Sequence, residues 1–214
     1  PDALPAMEPL TAGVDRSEVI ETSTMVRPER EDRRAARMVE LQGVGPAFPF
    51  YGAITLESGK PYSHALLRDG GVLVQRSLLL QLGLEVGDDL MIGGDPYTVR
   101  DVIVSEPGRR VSTFTLGSRV FIDLAALRSS GLLGFGSRAF YRILLRTPDQ
   151  ASGISLQRRL ARVLEDDPFV RVRHYRWAEN DINGDLAHAE DYLSLVGFVI
   201  VVLGGIGVWS VTRV

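Results

Sequence analysis

Cysteine is missing from all 214 residues, and lysine occurs once, at Lys60. Without cysteine the chain has no disulfide and no thiolate ligand for zinc or an iron–sulfur cluster. Cysteine's absence is compatible with either side of a membrane. The near-absence of lysine beside many arginines reflects genome composition rather than chemistry. An excess of basic charge is also lacking: the formal net charge is -3 and the pI about 5.7. A chain of that balance has no electrostatic footprint for nucleic acid. Histidine is scarce, with His64, His174 and His188 far apart and no pair at helical ligand spacing.

One further absence organises the rest. Tyr192 to Val211 holds no charged residue over 20 positions. As a helix it reaches about 30 Å, the thickness of a bilayer's hydrocarbon core. Glu190 and Asp191 precede it, Arg213 follows, and Tyr192 and Trp209 stand near its ends, where amphipathic rings favour the interface. A buried helix of a soluble protein is the alternative, and the uncharged length argues against it. Arg213 orients the span with its C-terminal end in the cytoplasm and residues 1 to about 190 outside. The chain starts at Pro1 and stops three residues after the span, so it reads as a piece of a longer protein.

The remaining residues suffice for one large or two small globular units. A short helix is expected near Ala3 to Leu10. Ser17 to Val26 is rich in β-branched residues and reads as a strand, paired in a hairpin with Met38 to Val44 across the polar run Arg27 to Arg34. Gly43 to Gly52, full of Gly, Pro and aromatics, turns the chain into a second region. There short strands are expected at Ala53 to Glu57, Gly71 to Gln75, Asp88 to Ile92, Tyr97 to Ser105 and Ser118 to Ile122. The third and fourth form a hairpin about Gly93-Gly94-Asp95-Pro96. Short helices fall at Arg76 to Leu82, closed by Gly83, and at Asp123 to Ser129.

Beyond Gly136, Arg138 to Arg146 alternates as a half-buried strand. Ser155 caps a helix to about Glu165 whose Leu156, Leu160, Val163 and Leu164 share one face. Phe169 to Tyr175 alternates again, which predicts a βαβ unit with parallel strands. The fold class is therefore α+β, with two lobes. Residues 1–45 and 137–180 form a ferredoxin-like, porter-type lobe, residues 46–136 an inserted β-rich lobe, and residues 181–214 a stalk and transmembrane helix. Ile182, Leu186, Ala189, Leu193 and Val196 carry a coiled-coil-like seam straight into the span. They imply one continuous lever helix from about Asp185 to Val211.

No catalytic constellation is present. Gly59-Lys60 fails the phosphate-loop pattern because Ile54 and Pro61 stand where it needs Gly and Ser or Thr. Gly136-Ser137 is not a nucleophile elbow. Asp88-Asp89 and Glu165-Asp166-Asp167 read as solvated turns rather than acid/base pairs or calcium sites. The reading contains no catalytic, cofactor-binding or metal residue. Gly197, Gly204, Gly205 and Gly207 leave room for another helix to approach within the membrane.

Three stretches carry a family resemblance. The run Gly71 to Ile103, with Leu82-Gly83-Leu-Glu-Val-Gly87-Asp88 followed by the strand Tyr97 to Ile103, resembles the extracytoplasmic core of FtsX/MacB-type ABC transporter permeases. Val39 to Gly52 and Tyr192 to Gly207 resemble the YbbP-like branch, and the likeness runs from about Ser17 to Val214. It implies a bacterial inner-membrane permease subunit whose two-lobed outer domain lies between its first two membrane helices, the span here being the second. It also implies a separate cognate ATPase subunit, contacts with other permease helices or a second permease half, and no nucleotide bound by this chain. Different members move lipoproteins, lipids, peptides or antibiotics, and no residue here selects among them. An extracytoplasmic sensor domain of a signalling receptor is the alternative of another class. A membrane-anchored hydrolase ranks behind both because the motif search is empty.

Overall fold

The computed structural model describes residues 4–29, 35–107, 117–134 and 136–173, with Leu193, Ser194, Val196, Gly197 and Ile200. The chain divides into two compact units. One spans 11–147, and the other takes in the helix residues 4–10 and the chain from 148 onward.

The first unit is built on eight strands: β1 (Asp15–Pro28), β2 (Arg37–Val44), β3 (Thr55–Leu56), β4 (Gly71–Gln75), β5 (Asp89–Ile92), β6 (Asp95–Ser105), β7 (Ser118–Asp123) and β8 (Ala139–Arg146). β1 and β2 form the expected antiparallel hairpin, with Val19 opposite Val44 and Val26 opposite Arg37. β2 then runs parallel to β7, β7 antiparallel to β4, β4 parallel to β6, β6 antiparallel to β5, and β5 returns antiparallel to the end of β1. These pairings close a ring of six strands, which removes the open edges a flat sheet would have. β8 stands outside the ring, antiparallel to the first half of β1.

Alternation along the strands sorts their side chains into two cores. Ile20, Leu41, Val74, Ile92, Val99 and Ile122, one from each strand of the ring, belong to a single buried cluster, so this cluster fills the interior. Leu78, Leu79 and Leu82 of α2 (Arg76–Leu82) and Leu124 and Leu127 of α3 (Leu124–Ser129) join it. The opposite faces of β4, β6 and β7 present Leu73, Ile103 and Phe121. A covering segment between β2 and β4 closes over them with Ile54, Leu56 and Leu67. Phe48 of that segment meets Phe121 at 6.0 Å between ring centroids, inclined by 53°.

β6 supplies side chains to both cores because it is bulged. Its register against β4 slips between Val72 and Leu73, where the partners jump from Val99 to Asp101. The extra residue changes the parity of the strand, so Val99 and Val102 both face inward. Asp101 is left buried, and its carboxylate accepts hydrogen bonds from the Ser58 hydroxyl and from the Val102 amide at 2.7 Å.

The second unit holds α1 (Leu4–Thr11), all but its last residue, and α4 (Gln150–Val163). Leu156, Leu160 and Leu164 are buried at spacings of four, as expected, but Val163, expected on the same face, is 50% exposed. Its start differs from expectation. Asp149, not Ser155, is the N-cap, accepting from the Ser152 amide at 2.8 Å and from the Ser152 hydroxyl. Gly153 therefore lies inside the helix.

Other expectations meet the structure in detail. Gly83 ends α2 in the left-handed region, at φ 65°, with its amide on the Leu79 carbonyl. The β5–β6 turn is tighter than expected, since Asp95 and Pro96 already belong to β6 and pair with Ile92 and Met91. The strand expected from Phe169 to Tyr175 is not formed over 169–173, which are turn and irregular backbone; 174 and 175 lie outside the described residues. Chain positions 45/46 and 136/137 fall just after β2 and just before β8, with the strands between them sharing the sheet of β1 and β2.

The expected stalk and span lie outside the described residues apart from five positions between Leu193 and Ile200, all helical. Among the described residues no helix is long and apolar enough to cross a membrane.

Candidate functional site

Polar side chains converge where the covering segment meets the barrel. Ser63 begins a 3-10 turn at His64–Leu67 by accepting the Ala65 amide on its hydroxyl, and the turn directs His64 toward β7. His64 Nε2 lies 3.0 Å from Asp123 Oδ1. Asp123 ends β7 and stands at the N-cap position of α3. Its side chain makes no capping bond, its carboxylate being held by the histidine. Tyr62 lies close by. Burial, and secondarily the Asp123 charge, raises its phenol pKa to about 12. The Tyr62 hydroxyl and His64 Nδ1 are both buried without a hydrogen-bond partner.

This arrangement ties the covering segment to the end of β7. A histidine that activates a hydroxyl nucleophile needs one nitrogen on the carboxylate and the other on the hydroxyl. Here Nε2 takes the carboxylate and Nδ1 meets no hydroxyl. A depression of about 560 Å³ beside Asp123 is lined also by Pro46, Leu124, Arg128 and Ser129. Its polar groups are already engaged: Asp123 by His64, Arg128 by Glu18, and the Ser129 hydroxyl by the Ala126 carbonyl.

Ion pairs brace the rest of the first unit. Arg119 of β7 bridges Glu40 of β2, at 3.0 Å, and Glu106 beyond β6, while its amide donates to Gln75 Oε1 at 3.1 Å. At the far end of the β1–β8 pair, Arg146 donates twice to Asp15 Oδ2, at 3.1 and 2.6 Å, and its guanidinium lies 5.1 Å from the Phe50 ring centroid. Further along the same pair, Arg142 reaches Glu21 at 3.1 Å.

Several of the residues singled out in the sequence fall in described positions. Glu57 and Ser58 form a turn closed by the Gly59 amide on the Leu56 carbonyl at 3.1 Å, and Lys60 follows it. Asp88 Oδ2 accepts the Glu85 amide at 2.9 Å, and Asp89 Oδ1 accepts the Thr98 hydroxyl at 2.7 Å. Asp167 Oδ1 accepts the Phe169 amide at 2.9 Å. These carboxylates tie turns and do not converge. His174, His188, Gly204, Gly205 and Gly207 lie outside the described residues. Among the described residues no group of three or more His, Cys, Asp or Glu side chains could hold a metal ion. Sequence reasoning took His64 for an isolated histidine and did not find Asp123, which is 59 positions away.

The MacB-like periplasmic core domain family matches residues 2–163. The extracellular domain of the noncanonic ABC-type transporter YknZ from Gram-positive bacteria shares the fold at a TM-score of 0.51 and 15% identity, covering 80% of this chain and 84% of its own. The periplasmic region of MacB from Actinobacillus actinomycetemcomitans aligns at a TM-score of 0.47 and 15% identity, over 75% of this chain and 73% of its own. No curated protein matches. With the match running from the first helix to the end of α4, the chain belongs to the MacB-like periplasmic core domain family.

Proposed function

We propose that this chain is the outer domain and following membrane helix of the permease subunit of a bacterial ABC exporter. It sits in the inner membrane with residues 1 to about 190 on the extracytoplasmic side. In this reading the permease is not itself an enzyme. A separate cognate ATPase hydrolyses ATP on the cytoplasmic side, and the helix from about Asp185 to Val211 relays its motion to the outer lobes to expel or extract substrate.

The observation that carries the reading is the order of parts along the chain. A family-matched outer domain at 2–163 is followed by an uncharged stretch at 192–211 long enough to span a bilayer. Within the outer domain β1 supports a relay. It pairs on one edge with β2 and on the other with β8 and then β5, so a load on β8 passes through backbone hydrogen bonds into the barrel. In this reading residues 46–136 are the inserted β-rich lobe and residues 1–45 with 137–180 the porter-type lobe, their strands sharing one sheet. Gly197, Gly204, Gly205 and Gly207 are the positions at which other permease helices or a second permease half would pack.

The test is purification of the full-length protein with its associated proteins, followed by an ATPase assay in lipid. A bound ATPase whose hydrolysis changes with the permease supports the reading. A kinase or a helical signalling linker following Val214, with no ATPase bound, overturns it in favour of a sensor. Inserting a flexible Gly-rich break near Leu186 tests the lever itself. Hydrolysis should persist while transport is lost, and transport that survives the break refutes the lever.

A further inference from the structure

Three of the chain's four methionines stand on one outer face of the barrel. Met25 is paired directly with Met38 across the β1–β2 hairpin, and Met91 of β5 is paired with Arg27, two residues along β1. Residues two apart on a strand share a face, and so do directly paired residues. Met38, Met25 and Met91 therefore lie on the same side of three adjacent strands. That side is the outside, because the alternate residues Val39, Val26 and Ile92 belong to the interior cluster.

The placement leaves Met25 and Met38 exposed and Met91 half-buried. Met25 is 52% and Met38 49% exposed. Met25 and Met91 line one groove, of about 260 Å³, together with Ala36, Gly93 and Gly94. The glycines put no side chain between the groove and solvent. Directly opposed Cβ atoms lie about 5 Å apart and diagonal ones roughly 7–8 Å. Methionine's three rotatable bonds let two thioethers on such positions close on one small cation. Arg27, the cation on the same face, turns its guanidinium to the Pro28 carbonyl at 3.2 Å.

We infer that Met25, with Met38 and Met91, forms a binding site for a soft monovalent metal ion, copper(I) or silver(I). Thioether sulfur selects such ions over hard divalent cations, which take oxygen. A thioether also cannot be lost to disulfide formation in an oxidising compartment, as a thiol can. That last point rests on the extracytoplasmic reading above; the donor arrangement does not.

Silver(I) nitrate in chloride-free buffer is the probe, added to the full-length protein labelled at its methionine methyl groups and followed by NMR. Saturable binding is expected, moving the methyl signals of Met25, Met38 and Met91 and leaving Met7 of α1 in place. Met25→Leu keeps the apolar surface and removes the central sulfur, so it should weaken binding by roughly tenfold or more. Met7→Leu should not. Unchanged thermal unfolding of the variants keeps the comparison clean. Met7 moving in step with the other three, an affinity indifferent to Met25→Leu, or no saturation overturns the site. The measurement needs neither an ATPase nor transport, so its failure and the failure of the permease reading are separate results.

Discussion

His64 Nε2 and Asp123 Oδ1 lie 3.0 Å apart across 59 positions of sequence, joining the segment that covers the barrel to the start of α3. Both side chains are mostly buried, at 12% and 23% exposure. Removing one therefore leaves the other's polar atoms short of a partner, at about 1–3 kcal/mol. His64→Ala and Asp123→Ala should each lower stability by that order in urea unfolding, and the double variant should lose less than the sum. Additive losses would show that the contact contributes nothing of its own.

Tyr62 offers a prediction in the alkaline range. Its phenol pKa is raised to about 12, by burial first and by Asp123 second. The unfolded phenol titrates near 10. The folded protein therefore holds its proton where the unfolded chain has lost it, and stability falls as pH rises from about 10 to 12. Absorbance at 295 nm should show this tyrosine ionising late. Tyr62→Phe removes a buried hydroxyl that has no partner, so it should preserve stability at neutral pH and flatten the alkaline decline.

Asp149 makes a prediction at the acid end. Its hydrogen bonds from Ser152, backbone first and hydroxyl second, lower its pKa. A carboxylate with a depressed folded pKa contributes stability above the unfolded value, near 3.9. The contribution fades as pH falls through the folded value. Amide exchange at the start of α4 should accelerate in that window. The Asp149→Asn variant keeps a capping side chain that does not titrate, so it should abolish the pH dependence.

Two glycines should respond differently to the same added methyl. A Cβ at Gly71 would lie 2.0 Å from the Leu66 carbonyl oxygen, which is backbone and cannot step aside. At Gly43 the nearest atom, 2.6 Å away, is Cδ2 of Leu127, the far end of a flexible side chain. Gly71→Ala should cost about 3 kcal/mol, the upper part of the range for overpacking, and Gly43→Ala about 1. Denaturant midpoints settle the order; equal losses would mean that the Leu66 backbone moves.

Most of the local structure could be read from the chain. Gly83 marked the end of α2 because a left-handed cap favours glycine, and the β-branched run from Val19 marked β1. What local pattern cannot supply is partnership between distant segments. The parallel pairings of β2 with β7 and β4 with β6 join residues far apart in sequence, and His64 finds Asp123 through the antiparallel pairing of β4 with β7, which sets Val72 opposite Ile122. Alternation misled at one place: Val170 and Val172 alternate with Arg171 and Arg173, yet 169–173 do not form a strand and Phe169 is 94% exposed. The helix starts at Asp149 rather than Ser155, and Gly153 lies inside it because a helix tolerates one glycine at a cost of about 1 kcal/mol.

The Asp15–Arg146 pair has a mechanical meaning. β1 begins at Asp15 and β8 ends at Arg146, and these are neighbours on adjacent strands, about 5 Å apart. Everything between them is a loop on a two-stranded stem. Drawing the two ends sideways would open the β1–β8 hydrogen bonds singly, from Asp15 inward, like a zip. Sliding β8 along β1 would load every bond at once. The stem is thus stiff to shear and weak to splaying.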